Sequence, residues 1–152
     1  MINDRLTRGI IAGAVGAVVQ NIYIYAAQMM GFTTTNYGDY SEILFFSKLL
    51  PGFFPNFFGI IGHFVWDTFL GVVFAYGIKY TSSRFYVLKG LVYGAFIWWI
   101  VNVICKLFRI PVFSTLPYQE LGVFLVGALL FGFIAAFTLR MLDSRWEGVR
   151  QK

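Results

Sequence analysis

The sequence predicts an all-α fold: a polytopic membrane domain of four transmembrane helices arranged as two tandem hairpins, with a short interfacial helix in the first outer loop. Three observations predict it. The chain is 59% hydrophobic and only 12% charged, against about 25% charged residues in an ordinary soluble domain, so lipid must act as solvent for much of its exterior. Four apolar runs approach the roughly 20 residues that a spanning helix needs. The lysines and arginines fall between those runs, alternately rich and poor. The 152 residues form a single membrane domain, 1–152.

The first span is expected at 9–30. Arg5 and Arg8 precede it like the head of a signal peptide, but the run exceeds the usual apolar core of about 7–15 residues. Ala26 and Ala27 are adjacent and do not make a cleavage motif, so the segment reads as a retained helix. In the loop 31–56, Ser41 is a capping residue for a helix over 41–50 that stops before Pro51. Ile43, Phe46 and Leu50 share a face while Glu42 and Lys48 are polar, a pattern for a helix lying in the interface. Phe53, Phe54, Phe57 and Phe58, just beyond Pro51, should anchor it there. An apolar loop packed over the bundle fits equally well. The second span is expected at 57–78, the third at 90–108 and the fourth at 121–139. Pro111 and Pro117 make the connection between the last two irregular.

Orientation follows from the distribution of basic residues. Arg5, Arg8, Lys79, Arg84, Lys89, Arg140, Arg145, Arg150 and Lys152 fall on one side; Lys48, Lys106 and Arg109 fall on the other. Nine against three predicts that both termini are cytoplasmic. The net charge of +5 is explained by topology and by attraction to anionic lipid, and no nucleic-acid partner is expected.

An internal repeat supports the hairpin layout. At an offset of 81, Arg8-Gly9-Ile10-Ile11-Ala12-Gly13-Ala14 aligns with Lys89-Gly90-Leu91-Val92-Tyr93-Gly94-Ala95, and Asn21 with Asn102. At an offset of 61, Gly71 aligns with Gly132, Ala75 with Ala136 and Lys79 with Arg140. Two hairpins of the same topology would be related by an axis along the membrane normal. Gly9, Gly13, Gly90, Gly94 and Gly132 form smooth faces on which helix backbones can approach. Their simplest use is packing within the chain; a homo-oligomer seam is the alternative.

Polar residues at membrane depth mark the candidate site. His63 and Asp67 are four apart and share a helical face. At 1.5 Å per residue they lie about 9 and 15 Å below the outer end of their span. Asn102 and Asn21 come to about 9 and 13 Å by the same measure. Gln20 and Gln28 share the helix of Asn21. His63, Asp67, Asn21 and Asn102 are therefore expected to converge in the outer half of the bundle. Two accounts stay open: a satisfied structural network, and a hydrated cavity whose His63–Asp67 pair binds or relays a proton or small solute. His63 is the nearest counter-charge for Asp67, with Lys106 a second. Arg109 and Glu120 are expected to pair at the interface. Trp98 and Trp99 lie mid-span, where bulk packing and a quinone or lipid groove are both compatible.

Much chemistry is excluded. There is no phosphate loop, no His-Glu-x-x-His, no Gly-x-Ser-x-Gly and no Cys-x-x-Cys. Cys105 stands alone, so it reads as a packing residue, and no multi-cysteine metal site is available. A single histidine supplies one haem ligand at most. No metal and no cofactor are expected.

Lys89-Gly90-Leu91-Val92-Tyr93-Gly94-Ala95 followed by Trp98, the Arg-Ile-Pro-Val-Phe stretch at 109–113 and Gln119-Glu120 resemble the third helix, and the connection after it, of YqhR-like bacterial inner-membrane proteins. The Gly-rich four-helix plan resembles YagU-type proteins more distantly. The resemblance implies a bacterial plasma membrane and transfers no site residue. The expected function is a non-enzymatic membrane scaffold, or a module interacting with lipid, with itself or with a larger membrane complex. The rival is a small transporter or proton-linked channel using the polar cluster.

Overall fold

The computed structural model describes residues 4–81 and 85–150, of which 145–150 as backbone only. Arg84, Lys152 and the side chains of Arg145 and Arg150, which enter the orientation count, lie outside the described residues. Among the described residues there are five α-helices: α1 (Arg5–Met29), α2 (Tyr37–Phe46), α3 (Phe53–Lys79), α4 (Tyr86–Leu107) and α5 (Tyr118–Arg150). Among the described residues there is no strand. Four helices, α1, α3, α4 and the Tyr118–Ser144 stretch of α5, are long and apolar enough to cross a bilayer. By length and composition this is a multi-pass membrane protein.

Each span is longer than its apolar run. α1 starts at Arg5 because Asp4 caps it: the carboxylate accepts from the Thr7 N–H at 3.0 Å. That bond holds the Asp4 carboxyl below the usual carboxylate range. α3 takes in Phe53 and Phe54, with Pro55 in its first turn, where a missing N–H costs nothing. α5 runs through Arg140, since helix hydrogen bonding does not stop where hydropathy does.

The short helix is also displaced from its expected place. α2 begins at Tyr37, not Ser41, and its cap is Asn36. The Asn36 side chain accepts from the Asp39 N–H at 3.2 Å, while the Asp39 carboxylate accepts from the Asn36 N–H at 2.8 Å, a reciprocal capping box. Burial pushes the Asp39 carboxyl up, and the Asn36 N–H opposes it. The helix ends where Ser47 turns left-handed at φ 62°, before Pro51. Ser41 is instead buried against α3. There Gly62 leaves room for it: a methyl at Gly62 would lie 2.8 Å from Ser41 Cβ. Replacing Asn36 by alanine should cost about 1 kcal/mol, read as a lower unfolding midpoint in a detergent titration; Asn36→Asp should keep most of it.

The helices pack in the order α3–α1–α5–α4, with α2 laid on α3. Glycine makes each close approach. α1 meets α3 at Gly9, Gly13 and Gly71, where a methyl on Gly9 would lie 2.7 Å from Val72 Cα and one on Gly13 2.5 Å from the Asp67 carbonyl oxygen. α4 meets α5 at Gly90, Gly94 and Gly132, where a methyl would drive into the carbonyls of Gly132, Ala128 and Gly90 respectively. α1 meets α5 where Gly16 faces the Phe131 ring. The predicted packing glycines are therefore occupied within the chain. By contrast, the α3 and α4 backbones stand apart and are bridged by side chains, as where the Tyr93 hydroxyl donates to the Leu70 carbonyl.

Two apolar clusters hold this arrangement. Ala12, Phe74, Ala75, Ile78, Ala136 and Leu139 fill the end nearest the termini. Arg8 closes that end by pairing with Asp143, which also accepts from the Tyr86 hydroxyl at 2.8 Å. Ile24, Tyr37, Ile43, Cys105, Phe113 and Phe124 fill the other end, under α2. Phe113 reaches it from a 3₁₀ turn, Phe113–Thr115, in the connection expected to be irregular.

Candidate functional site: a cavity between α3 and α4

Where α3 and α4 diverge there is a cavity of about 560 Å³, within the range of about 300–1,000 Å³ usual for small-molecule sites. α2 roofs it with Tyr37, Tyr40 and Phe45; α3 contributes His63, Trp66 and Asp67; α4 contributes Ile97, Trp98 and Asn102; α5 contributes Phe124 and Phe131. The walls are aromatic and aliphatic. Val65, Trp66, Phe69 and Ile104 are exposed along its rim, so the cavity opens sideways through the helix gap.

The polar groups lie at its floor. His63 and Asp67 are 6% and 2% exposed. His63 Nε2 stands 3.1 Å from Asp67 Oδ2, but off hydrogen-bond geometry, so neither atom has a hydrogen-bond partner among the described residues. The Tyr37 ring stacks on the imidazole, centroids 4.9 Å apart and planes 7° apart. Tyr37 is fixed by its hydroxyl, which donates to the Phe124 carbonyl at 2.9 Å. Gln20 adds a third polar atom without a partner, Oε1, at the same cavity.

His63, Asp67 and Asn102 line one cavity. Asn21 does not line it: it is buried, and its amide donates to the Ala17 carbonyl at 2.8 Å. Gln20, one residue and 100° of helix away, faces the cavity instead. Asn102 spends its amide in the same way, on the Trp98 carbonyl at 2.8 Å. Lys106 is exposed and does not line the cavity, which leaves His63 as the basic side chain beside Asp67. Trp98 lines the cavity and donates to the Leu121 carbonyl at 3.1 Å. Trp99 is exposed and stacks on Phe96.

No family model, curated protein or solved structure matches the chain.

The arrangement nevertheless defines its own chemistry. No group of three metal-binding side chains occurs among the described residues. Cys105 is buried and touches the Tyr40 hydroxyl, as a packing residue would. What remains is a buried acid and base in contact, ringed by aromatic groups, beside the gap between α3 and α4. Such a pair can hold or release a proton and can meet the polar end of an apolar molecule.

Arg109 and Glu120 do not form the expected ion pair. Glu120 is buried beneath the loop before α2 and accepts from Thr33 Oγ1 at 2.7 Å, Thr34 N at 3.2 Å, Thr34 Oγ1 at 3.0 Å and Thr35 Oγ1 at 3.2 Å. Three hydroxyls and a backbone amide satisfy a carboxylate as well as a guanidinium does, without requiring Arg109 to leave water. This collar fixes the start of α2, and so the roof of the cavity, to the first turn of α5.

Proposed function

We propose that the chain is a non-enzymatic membrane module that takes a small amphipathic molecule from the bilayer into the cavity between α3 and α4. Its spans form two tandem hairpins, α1 with α3 and α4 with α5, and α2 lies in the interface as their roof. Equivalent residues of the two hairpins do equivalent work: Gly71 fits against Gly9 and Gly13, and Gly132 against Gly90 and Gly94. Asn21 and Asn102 each bond the carbonyl four residues back.

One departure from that symmetry carries the functional reading. A twofold relation between the hairpins would match the α1–α5 seam with an α4–α3 seam. At the offsets of 81 and 61, Gly16 aligns with Ile97 and Phe131 with Leu70. Gly16 and Phe131 pack tightly, yet Ile97 and Leu70 both line the cavity. The second seam stands open where the first is closed. An apolar gap of this size is stable in a bilayer when lipid or a ligand fills it, since an empty one loses its packing contacts.

A single-tryptophan protein retaining Trp98, with the other three tryptophans replaced by Phe, tests the reading. Reconstituted in nanodiscs, it should be quenched saturably by a bromoalkyl amphiphile. Val101 lines the cavity from α4, and Val101→Phe, which puts a ring into it, should weaken the saturable component. Quenching that rises linearly with dose and ignores Val101→Phe would mean mere bilayer partitioning and would end the proposal.

Transport is the second reading, favoured by the buried His63–Asp67 pair facing the cavity. In both readings the termini lie in the cytoplasm of a bacterial inner membrane, supported by the charge distribution and by the resemblance to YqhR-like proteins.

A further inference from the structure

We propose that the cavity binds a lipophilic cation, and that the cation displaces the proton held by the His63–Asp67 pair. This deepens the proposed function and rests on its cavity. Asp67 Oδ2 is buried, has no hydrogen-bond partner among the described residues and faces the cavity. Among the described residues, no lysine or arginine lines the cavity. A carboxylate so placed at membrane depth is costly unless neutralised. His63 alone stands close enough to do so.

The other groups facing the pair cannot take that role. From α2, Tyr37 stacks on His63 and Tyr40 lines the cavity. From α4, the Tyr93 hydroxyl donates to the Leu70 carbonyl at 2.7 Å. α1 presents the neutral Gln20, and α5 presents only apolar side chains. All are uncharged near neutrality. With the cavity empty, the acid–base pair holds one exchangeable proton, on the ring or on the carboxyl, and has no net charge. A cation that reaches Asp67 leaves the imidazole neutral and the carboxylate ionised, and one proton passes to solvent. Charge at the floor is zero before and after, so the exchange adds no buried net charge.

The walls select what kind of cation. Trp66, Trp98, Tyr37, Tyr40 and Phe45 surround the space above the acid, and aromatic faces attract cations most strongly where water is excluded. A hydrated metal ion would lose its water at a site that lacks, among the described residues, a cluster of three metal-binding side chains. A cation whose charge is dispersed within apolar groups loses little water and fills the volume. It also partitions into the bilayer, from which the gap between α3 and α4 opens.

The experiment uses full-length protein in nanodiscs with tetraphenylphosphonium as the cation and triphenylphosphine oxide as a neutral probe of related shape. Binding is followed by tryptophan fluorescence, and released protons by a pH dye in weak buffer. Tetraphenylphosphonium should bind saturably, release about one proton per site and weaken as the pH falls, by no more than about tenfold per pH unit. Asp67→Asn should cut its affinity at least tenfold while sparing the neutral probe. His63→Gln leaves the proton on the Asp67 carboxyl alone and should shift the pH dependence of tetraphenylphosphonium binding, whereas Asp67→Asn should abolish proton release. Should Asp67→Asn fail to fold, the His63→Gln pH profile alone decides. If both probes bind equally and neither variant matters, the cation proposal is overturned while the cavity reading stands. If neither probe binds saturably, both fall.

Discussion

Gly94→Val should leave little folded protein, whereas Gly122→Val should behave as wild type. At Gly94 a side chain would drive into the Ala128 carbonyl across the α4–α5 seam, and Gly122 has nothing within 4 Å of an added Cβ. The obstacle at Gly94 is backbone, which cannot rotate away as a side chain can. The helices must separate, and with them go the neighbouring close contacts of Gly90 and Gly132. Overpacking usually costs about 1–3 kcal/mol; loss of a whole helix seam should exceed that range. Gly13→Val should do the same on the α1–α3 seam, where a methyl would lie 2.5 Å from the Asp67 carbonyl oxygen. The check is the monodisperse fraction after detergent extraction, with an unfolding titration on whatever remains. The contrast between Gly94 and Gly122 excludes a general helix-propensity effect, since both positions lie within helices. Equal behaviour of the two variants would refute the account of the seams.

The same seams show how much of the fold is legible in the sequence. Hydropathy places the spans because lipid permits no other backbone solution than a helix with its own hydrogen bonds satisfied. Glycine spacing then marks the faces that meet, since without a hydrophobic force between helices only small residues let backbones approach. Span ends are less legible: charges at 8, 89 and 140 interrupt hydropathy but not the helix. The start of α2 is ambiguous in sequence because Asn36 and Ser41 are both good caps, and only the reciprocal bonds of Asn36 and Asp39 decide between them. The site is legible in kind. A histidine and an aspartate four apart on an apolar helix have few places to go except inward. Which neighbour joins them is not, because Gln20 and Asn21 are both buried and differ only by the rotation of α1 against its partners.

The loop above the site is harder still to read, and there Glu120→Leu should have the second large effect. Opposite charge suggests Arg109 as the partner of Glu120, yet the carboxylate is held by three successive threonines, 33–35. Hydrogen bonds to a charged group contribute about 1.5–3 kcal/mol each. They share one carboxylate here, so the loss on Glu120→Leu should be about 3–5 kcal/mol rather than their sum. It leaves the Thr33, Thr34 and Thr35 hydroxyls beside a hydrocarbon side chain. Glu120→Gln keeps one acceptor oxygen and should lose about half as much. Arg109→Ala should change stability by less than about 0.5 kcal/mol, as a surface position does. Unfolding titrations measure all three. The consequence reaches the cavity, because the loop 33–36 sets where α2 begins and α2 carries Tyr37, the ring stacked on His63. In Glu120→Gln protein that remains folded, saturable quenching of Trp98 should therefore weaken, though no cavity-lining residue has changed. Quenching that stays at the wild-type level would show that α2 is held by α3 alone and that the Glu120 collar does not position the roof.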